Sequence, residues 1–226
     1  MVHFNQRMLL TGALGQEALW LSEGLAQIAE DLVGEAFYAA GNSSRAVEYQ
    51  VGNWNRGRRF LQNPSNVSLI STLPPGSLAE RGAWWIFLRY LYGQDGNEAL
   101  LGRLTRSSLT GIANVTQATG RTWEDLVSDW AGALFLDGLS VPIRPGLSVP
   151  GLNLRRVLSP SGGGYPLKPP KLTGTFSIEG SLWSSSPDYY IITPPGSGGL
   201  ALNLAGPEGR PQNPAVGLHF MVVRIK

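Results

Sequence analysis

A chain of 226 residues, 42% of them hydrophobic, is long enough to bury a core in one or two domains and too apolar to stay disordered. A net charge of +2, with only 15% charged residues, argues against nucleic acid as a partner; the single basic cluster, Arg56, Arg58 and Arg59, reads as a solvated helix face. Cysteine is absent, which excludes disulfides, thiolate metal sites and thiol nucleophiles. No apolar run reaches the ~18 residues that a membrane span needs.

Residues 8–14 imitate the apolar part of a signal peptide. They are short, broken by Gly12 and followed at once by a helical pattern, so they are not read as one. The first helix is predicted over 17–32. Leu14, Ala18, Leu21, Leu25, Ile28 and Leu32 recur at steps of three and four, which makes one apolar stripe. A second row, Trp20, Glu23, Gln27 and Glu30, sets an aromatic ring beside carboxylates. Gly24, in mid-helix, costs about 1 kcal/mol relative to Ala and marks a place where another backbone or a ligand comes close. The residues alone leave Glu23 open: a paired or solvated carboxylate of a core helix, or a functional one.

Gly41-Asn42 ends the next helical stretch, and Asn42 or Ser43 can cap a helix over 44–61, with Val47, Val51, Trp54 and Phe60 leaning inward. Asn63-Pro64 breaks it. After the turn Pro74-Pro75-Gly76-Ser77 comes the most apolar helix, 78–92, hydrophobic nearly all round and therefore buried on most sides. Arg81 and Arg89 bracket it, either as clamps for a carboxylate or as stems packed on aromatics. Short helices are predicted over 97–104 and 111–119. A last one follows Thr122, whose spacing to Asp125 approximates a capping box, with Trp123, Leu126, Val127, Trp130, Leu134 and Phe135 inward. Prolines and glycines then dominate residues 139–170, an extended linker that runs over the helices, with a short strand at 152–158. From 172 the pattern turns to period two, with strands at 174–178, 189–193, 200–204 and 218–225. His219 reads as a strand-face residue, not a ligand.

The run Trp20-Leu21-Ser22-Glu23-Gly24-Leu25-Ala26, followed by Ala29-Glu30-Asp31-Leu32, resembles the second zinc-binding helix of gluzincin metallopeptidases, of the hyicolysin-like secreted, bacterial branch. The likeness is specific along this helix, looser over residues 1–138 and does not extend to the remainder. In that family a first helix carries His-Glu-x-x-His, two zinc ligands and the general base, and the later Glu is the third ligand. The resemblance therefore implies Glu23 as a metal ligand, with Gln27 and Trp20 behind it. In some relatives a carboxylate near the place of Gln27 orients a zinc-bound histidine; Gln accepts the same N–H bond but raises ligand basicity less. Tyr38, Tyr49, Tyr90 and Tyr92 are candidates for the family's oxyanion stabiliser.

The departure from the family is large. His3 and His219 are the only histidines, and His-Glu-x-x-His is absent. Residues 1–7 resemble the segment that follows that motif in the family, which implies a start past the two zinc-binding histidines, with His3 a helix-end residue. The expected fold is α+β: a mainly helical, truncated metallopeptidase-like domain (1–138), a linker (139–171) and a small antiparallel β-sandwich (172–226). The expected function is a truncated form of an exported zinc endopeptidase, inactive as given. Zinc and a peptide or protein substrate belong to the full-length family, with no zinc held by this chain. The location implied is secreted or periplasmic, with a signal peptide upstream. The alternative is a non-catalytic binding or interaction module on the same scaffold. A third reading, a helical domain with a β-appendage whose role is assembly, predicts an oligomer.

Overall fold

Helices carry most of the regular structure in the computed structural model, which describes residues 16–71, 73–141, 143–160, 163–194, 196, 200–203, 205–206, 209–211 and 217–225. Among these are α1 (Leu19–Ala39), α2 (Ser43–Gln62), α3 (Leu78–Gln94), α4 (Glu98–Thr105), α5 (Gly111–Thr119), α6 (Trp123–Leu136) and the short α7 (Leu154–Leu158). Two three-residue strands follow, β1 (Lys171–Thr173) and β2 (Ile191–Thr193). The mainly helical domain followed by a small β module is the expected fold class. The expectations for residues 1–7 and 8–14, His3 and Leu14 among them, lie outside the described residues.

The axis of the body is α3. Every residue from Gly82 to Leu91 is buried, as a helix apolar on all sides requires. Its start is set locally. Ser77 Oγ accepts from the Glu80 amide at 3.1 Å and the Glu80 carboxylate accepts from the Ser77 amide at 2.6 Å, so two orphan donors are satisfied reciprocally. Ser77→Ala is expected to lower stability by about 1 kcal/mol, read as a lower thermal midpoint.

Both α1 and α2 pack on α3 and on each other. They do so through small residues. A β-carbon on Gly24 would stand 2.9 Å from Leu88 Cδ2 and 3.3 Å from the Trp84 carbonyl oxygen, which is the close backbone approach expected at that position. One face of α2 differs from expectation. Phe60 is buried and Trp54 packs against the core, but Val47 and Val51 are exposed; Ala46, Asn53 and Gly57 turn inward instead. The reason is the crossing with both neighbours: Ala46 lies against Gly34 of α1, Asn53 Nδ2 donates to the Gln27 carbonyl of α1 at 3.0 Å, and Gly57 admits Trp85 and Ile86 of α3.

Aromatic rings fill the space between α3 and α6. Trp130 stacks on Phe60 at 5.6 Å and meets Phe87 edge-on at 5.5 Å; Trp123 and Trp20 complete the group. The Thr122 hydroxyl caps α6 by accepting from the Asp125 amide at 3.2 Å.

The segment after α6 is stapled to the body by side chains. The Asp137 carboxylate accepts from the amides of Val149 (2.9 Å) and Leu154 (2.6 Å), and burial raises its pKa while these bonds hold it down. Tyr165 Oη donates to the Leu134 carbonyl at 2.7 Å. Leu147, Val149, Leu154 and Leu158 are buried beneath. The strand expected at 152–158 is instead the helix α7, because the Asn153 side chain accepts from the Arg156 amide and caps it.

The expected β-sandwich is not formed by the described residues. What is present is a single open two-stranded sheet, and its strands run parallel, Lys171 opposite Ile191 and Thr173 opposite Thr193. Two short strands cannot supply a second layer. A long crossover separates them, so antiparallel hairpin pairing is not imposed. Of the four expected strands, only 189–193 carries ladder pairing. Side chains tie this region to α6: Trp123 Nε1 donates to Ser185 Oγ at 3.1 Å, and Tyr189 Oη donates to the Ala131 carbonyl at 2.8 Å.

Candidate functional site

Three candidates project from α1, and the helix distributes them unequally. Trp20, three residues before Glu23, is buried among Phe87 and Trp123, at ring distances of 6.2 and 5.5 Å. It is a core residue that supports the helix from behind. Glu23 faces outward in part: its side chain is 26% exposed and its carboxylate lies 3.8 Å from the Arg81 guanidinium, itself 26% exposed. Arg81 is held in place by two hydrogen bonds to the Pro75 carbonyl, at 2.9 and 3.1 Å. The turn before α3 thus fixes a positive charge beside the Glu23 carboxylate.

Gln27, one turn further, is only 4% exposed. Neither its amide oxygen nor its amide nitrogen has a hydrogen-bond partner. Each buried polar atom left unmatched costs about 1–3 kcal/mol. The next turn holds a residue that the sequence reading passed over. Asp31 is fully buried and paired with Arg89 Nε at 3.3 Å, and Arg89 Nη2 also reaches the Glu35 carboxylate at 2.8 Å. Burial pushes the Asp31 carboxyl up to about 6, against the pull of Arg89. The available signal was spacing: 23, 27 and 31 form one row at steps of four. Of the two arginines bracketing α3, then, Arg81 meets Glu23 and Arg89 is locked in the interior.

The tyrosine candidates do not converge on Glu23. Tyr38 is exposed, Tyr49 stacks on Phe37 at 5.6 Å, Tyr90 is buried near Arg121, and Tyr92 Oη donates to Glu98 at 2.7 Å. Another carboxylate is structural. Glu17 accepts from the Gly111 amide at 2.6 Å and from Asn114 Nδ2 at 2.9 Å, and so caps α5 with a negative charge at its amino end. Asp129 bridges Arg121 and Arg144. His219 lies exposed in the C-terminal stretch.

Among the described residues no group of three or more His, Cys, Asp or Glu could hold a metal ion. Zinc needs three protein ligands converging on one point, and the described residues bring a single carboxylate with a guanidinium beside it. The residues present therefore do not fit a zinc centre, and the zinc metallopeptidase description, like the β-sandwich, is corrected on this point. No helix among the described residues is long and apolar enough to cross a membrane. No family model, no curated protein and no solved structure matches the chain.

Proposed function

We propose that the chain is a non-catalytic, peptidase-like interaction module, a helical platform that binds a peptide or protein partner and does not cut it. The observation that carries this reading is the pairing of Glu23 with Arg81 at 3.8 Å. A fixed guanidinium repels a divalent cation from the one carboxylate that the family resemblance assigns to metal, and hydrolysis by metal-activated water needs that cation close. The resemblance also supports an exported setting, secreted or periplasmic. The weak, dispersed charge of +2 supports a partner other than nucleic acid.

Calorimetric titration of zinc into the chain and into Glu23→Gln tests the reading, together with an assay on an unstructured protein substrate. Weak, indistinguishable zinc uptake by both proteins and no cleavage are expected. Stoichiometric tight zinc that Glu23→Gln abolishes, accompanied by cleavage, would overturn it.

A further inference from the structure

A shallow cavity of about 320 Å³ lies at α4 and α5, lined by Gly102, Arg103, Arg106, Ser107, Asn114 and Gln117, none of them on α1 or α3. Ligand sites begin at about this size, roughly 300 Å³. The buried member is Asn114, 1% exposed. Its Nδ2 donates to the Leu104 carbonyl at 3.0 Å and to the Glu17 carboxylate at 2.9 Å, which engages both amide hydrogens. Its Oδ1 has no donor. Buried acceptors are nearly always matched, so an unmatched one on a residue that lines a cavity points to an N–H from outside the fold. The rest of the lining offers donors. The Arg106 guanidinium lies back over Gly102, where a β-carbon would stand 2.7 Å from Nη2. No carboxylate or carbonyl among the described residues takes it up. Arg103 donates from Nε to the Ala118 carbonyl at 2.7 Å and from Nη2 to the Asp95 carbonyl at 3.0 Å, which fixes its guanidinium and leaves Nη1. The Ser107 hydroxyl accepts from the Leu109 amide at 3.0 Å and keeps its own hydrogen to donate.

We propose that this cavity binds the C-terminal residue of a partner polypeptide, with the terminal carboxylate on Arg106 and the N–H of the same residue on Asn114 Oδ1. The proposal rests on the interaction-module reading and gives the chemistry of that module's partner. Arg103 and Arg106, three residues apart on one face of α4, set two guanidiniums beside each other, and guanidiniums match the planar fork of a carboxylate. The unmatched acceptor decides which anion belongs there. A phosphate dianion or a simple carboxylate brings no N–H. A C-terminal residue carries the carboxylate and an N–H on one Cα, so it serves the arginines and Asn114 together. Size points the same way. An internal Asp or Glu arrives flanked by chain on both sides, whereas a chain end enters a small cavity alone, and its capture is a recurrent mode of peptide recognition.

The probe is N-acetyl-alanyl-alanine with its terminal carboxylate, titrated into the isotope-labelled chain and followed by amide chemical shifts. Saturable shifts centred on α4 and α5 are expected. The same peptide ending in a carboxamide, and propionate, which lacks the N–H, should each bind about tenfold more weakly. Arg106→Gln should weaken the acid peptide by about the same factor, while Arg59→Gln, at an exposed position of α2, should leave the titration unchanged. Gly102→Ala raises the helix propensity of α4 but puts a β-carbon where the Arg106 guanidinium lies. It should weaken binding without lowering the melting temperature. Equal affinity for acid and carboxamide, equal affinity of Arg106→Gln and the wild type, or no saturable shift overturns the proposal. Inorganic phosphate that shifts the same residues at lower concentration than the peptide overturns the chain end as ligand. Each of these results leaves the module reading standing, since that reading fails separately, on tight zinc and cleavage.

Discussion

Replacement of Arg89 by alanine is expected to cost about 3–5 kcal/mol at neutral pH, because it leaves the Asp31 carboxylate buried without its cation. Arg89 is 1% exposed and Asp31 fully buried, so water cannot take over the lost role. Arg89→Met separates charge from packing: it restores most of the stem against Tyr92, whose ring lies 5.4 Å from the guanidinium carbon, but not the charge. Most of the loss should persist in the methionine variant, measured by denaturant unfolding.

The pH dependence has a definite sign. The folded Asp31 carboxyl titrates at about 6, above its ordinary value of 3.8. Its contribution to stability is therefore fully present below the unfolded value and is lost as pH rises through about 6. Glu35, which also faces Arg89, adds to the upward push on Asp31. Asp31→Asn should flatten the stability profile across this window. Removal of Arg89 takes away the influence that lowers the Asp31 pKa, so the penalty of Arg89→Ala should shrink below pH 6. A penalty independent of pH would show that the cation is not what keeps Asp31 tolerable.

The second large effect is expected at Gly82. A β-carbon there would fall well inside van der Waals contact with the carbonyl group of Arg56 and 2.8 Å from the Gly57 amide nitrogen. These are backbone atoms of α2, and they cannot swing aside as a side chain would. Gly82→Ala should therefore destabilise by about 3 kcal/mol, at the upper end of overpacking effects, and lower the melting temperature by roughly 6–12 °C for a chain of this size. The same exchange at Gly52, where only the flexible end of Arg56 lies at 3.8 Å, is expected to stabilise by up to about 1 kcal/mol through helix propensity. Gly57→Ala should fall between, since its nearest neighbours are the Trp85 ring at 3.0 Å and Ile86. If Gly82→Ala melts with the wild type, α2 and α3 do not cross where the structure places them.

The helical body was largely legible. Its signals are local: Ser77 and Glu80 at capping spacing, the unbroken apolar run of α3 and the inward stripe of α6. Gly24 was legible as a close approach because a glycine in mid-helix is costly unless something replaces the missing side chain. The inward face of α2 was misread at Val47 and Val51. Hydrophobicity pointed one way, but helix crossing rewarded smallness at Ala46 and Gly57. The candidate site was legible only as a row of residue types. That Trp20 belongs to the core, that Gln27 lacks a partner and that Arg81 stands by Glu23 depend on segments distant in the chain.

The sequence by itself determined the main helices α1–α6, the local caps at Ser77 and Thr122, the absence of thiol chemistry and the switch to a proline- and glycine-broken C-terminal third, because each follows from neighbouring residues and composition. Only the tertiary structure decided that β1 and β2 pair in parallel, that Asp31 and Arg89 are buried together, and that Met221 comes to lie against Gly132 of α6. The physical reason is one of distance along the chain. Strand pairing and buried charge are set by long-range packing, in which period-two alternation states that a segment is extended and not which strand lies beside it.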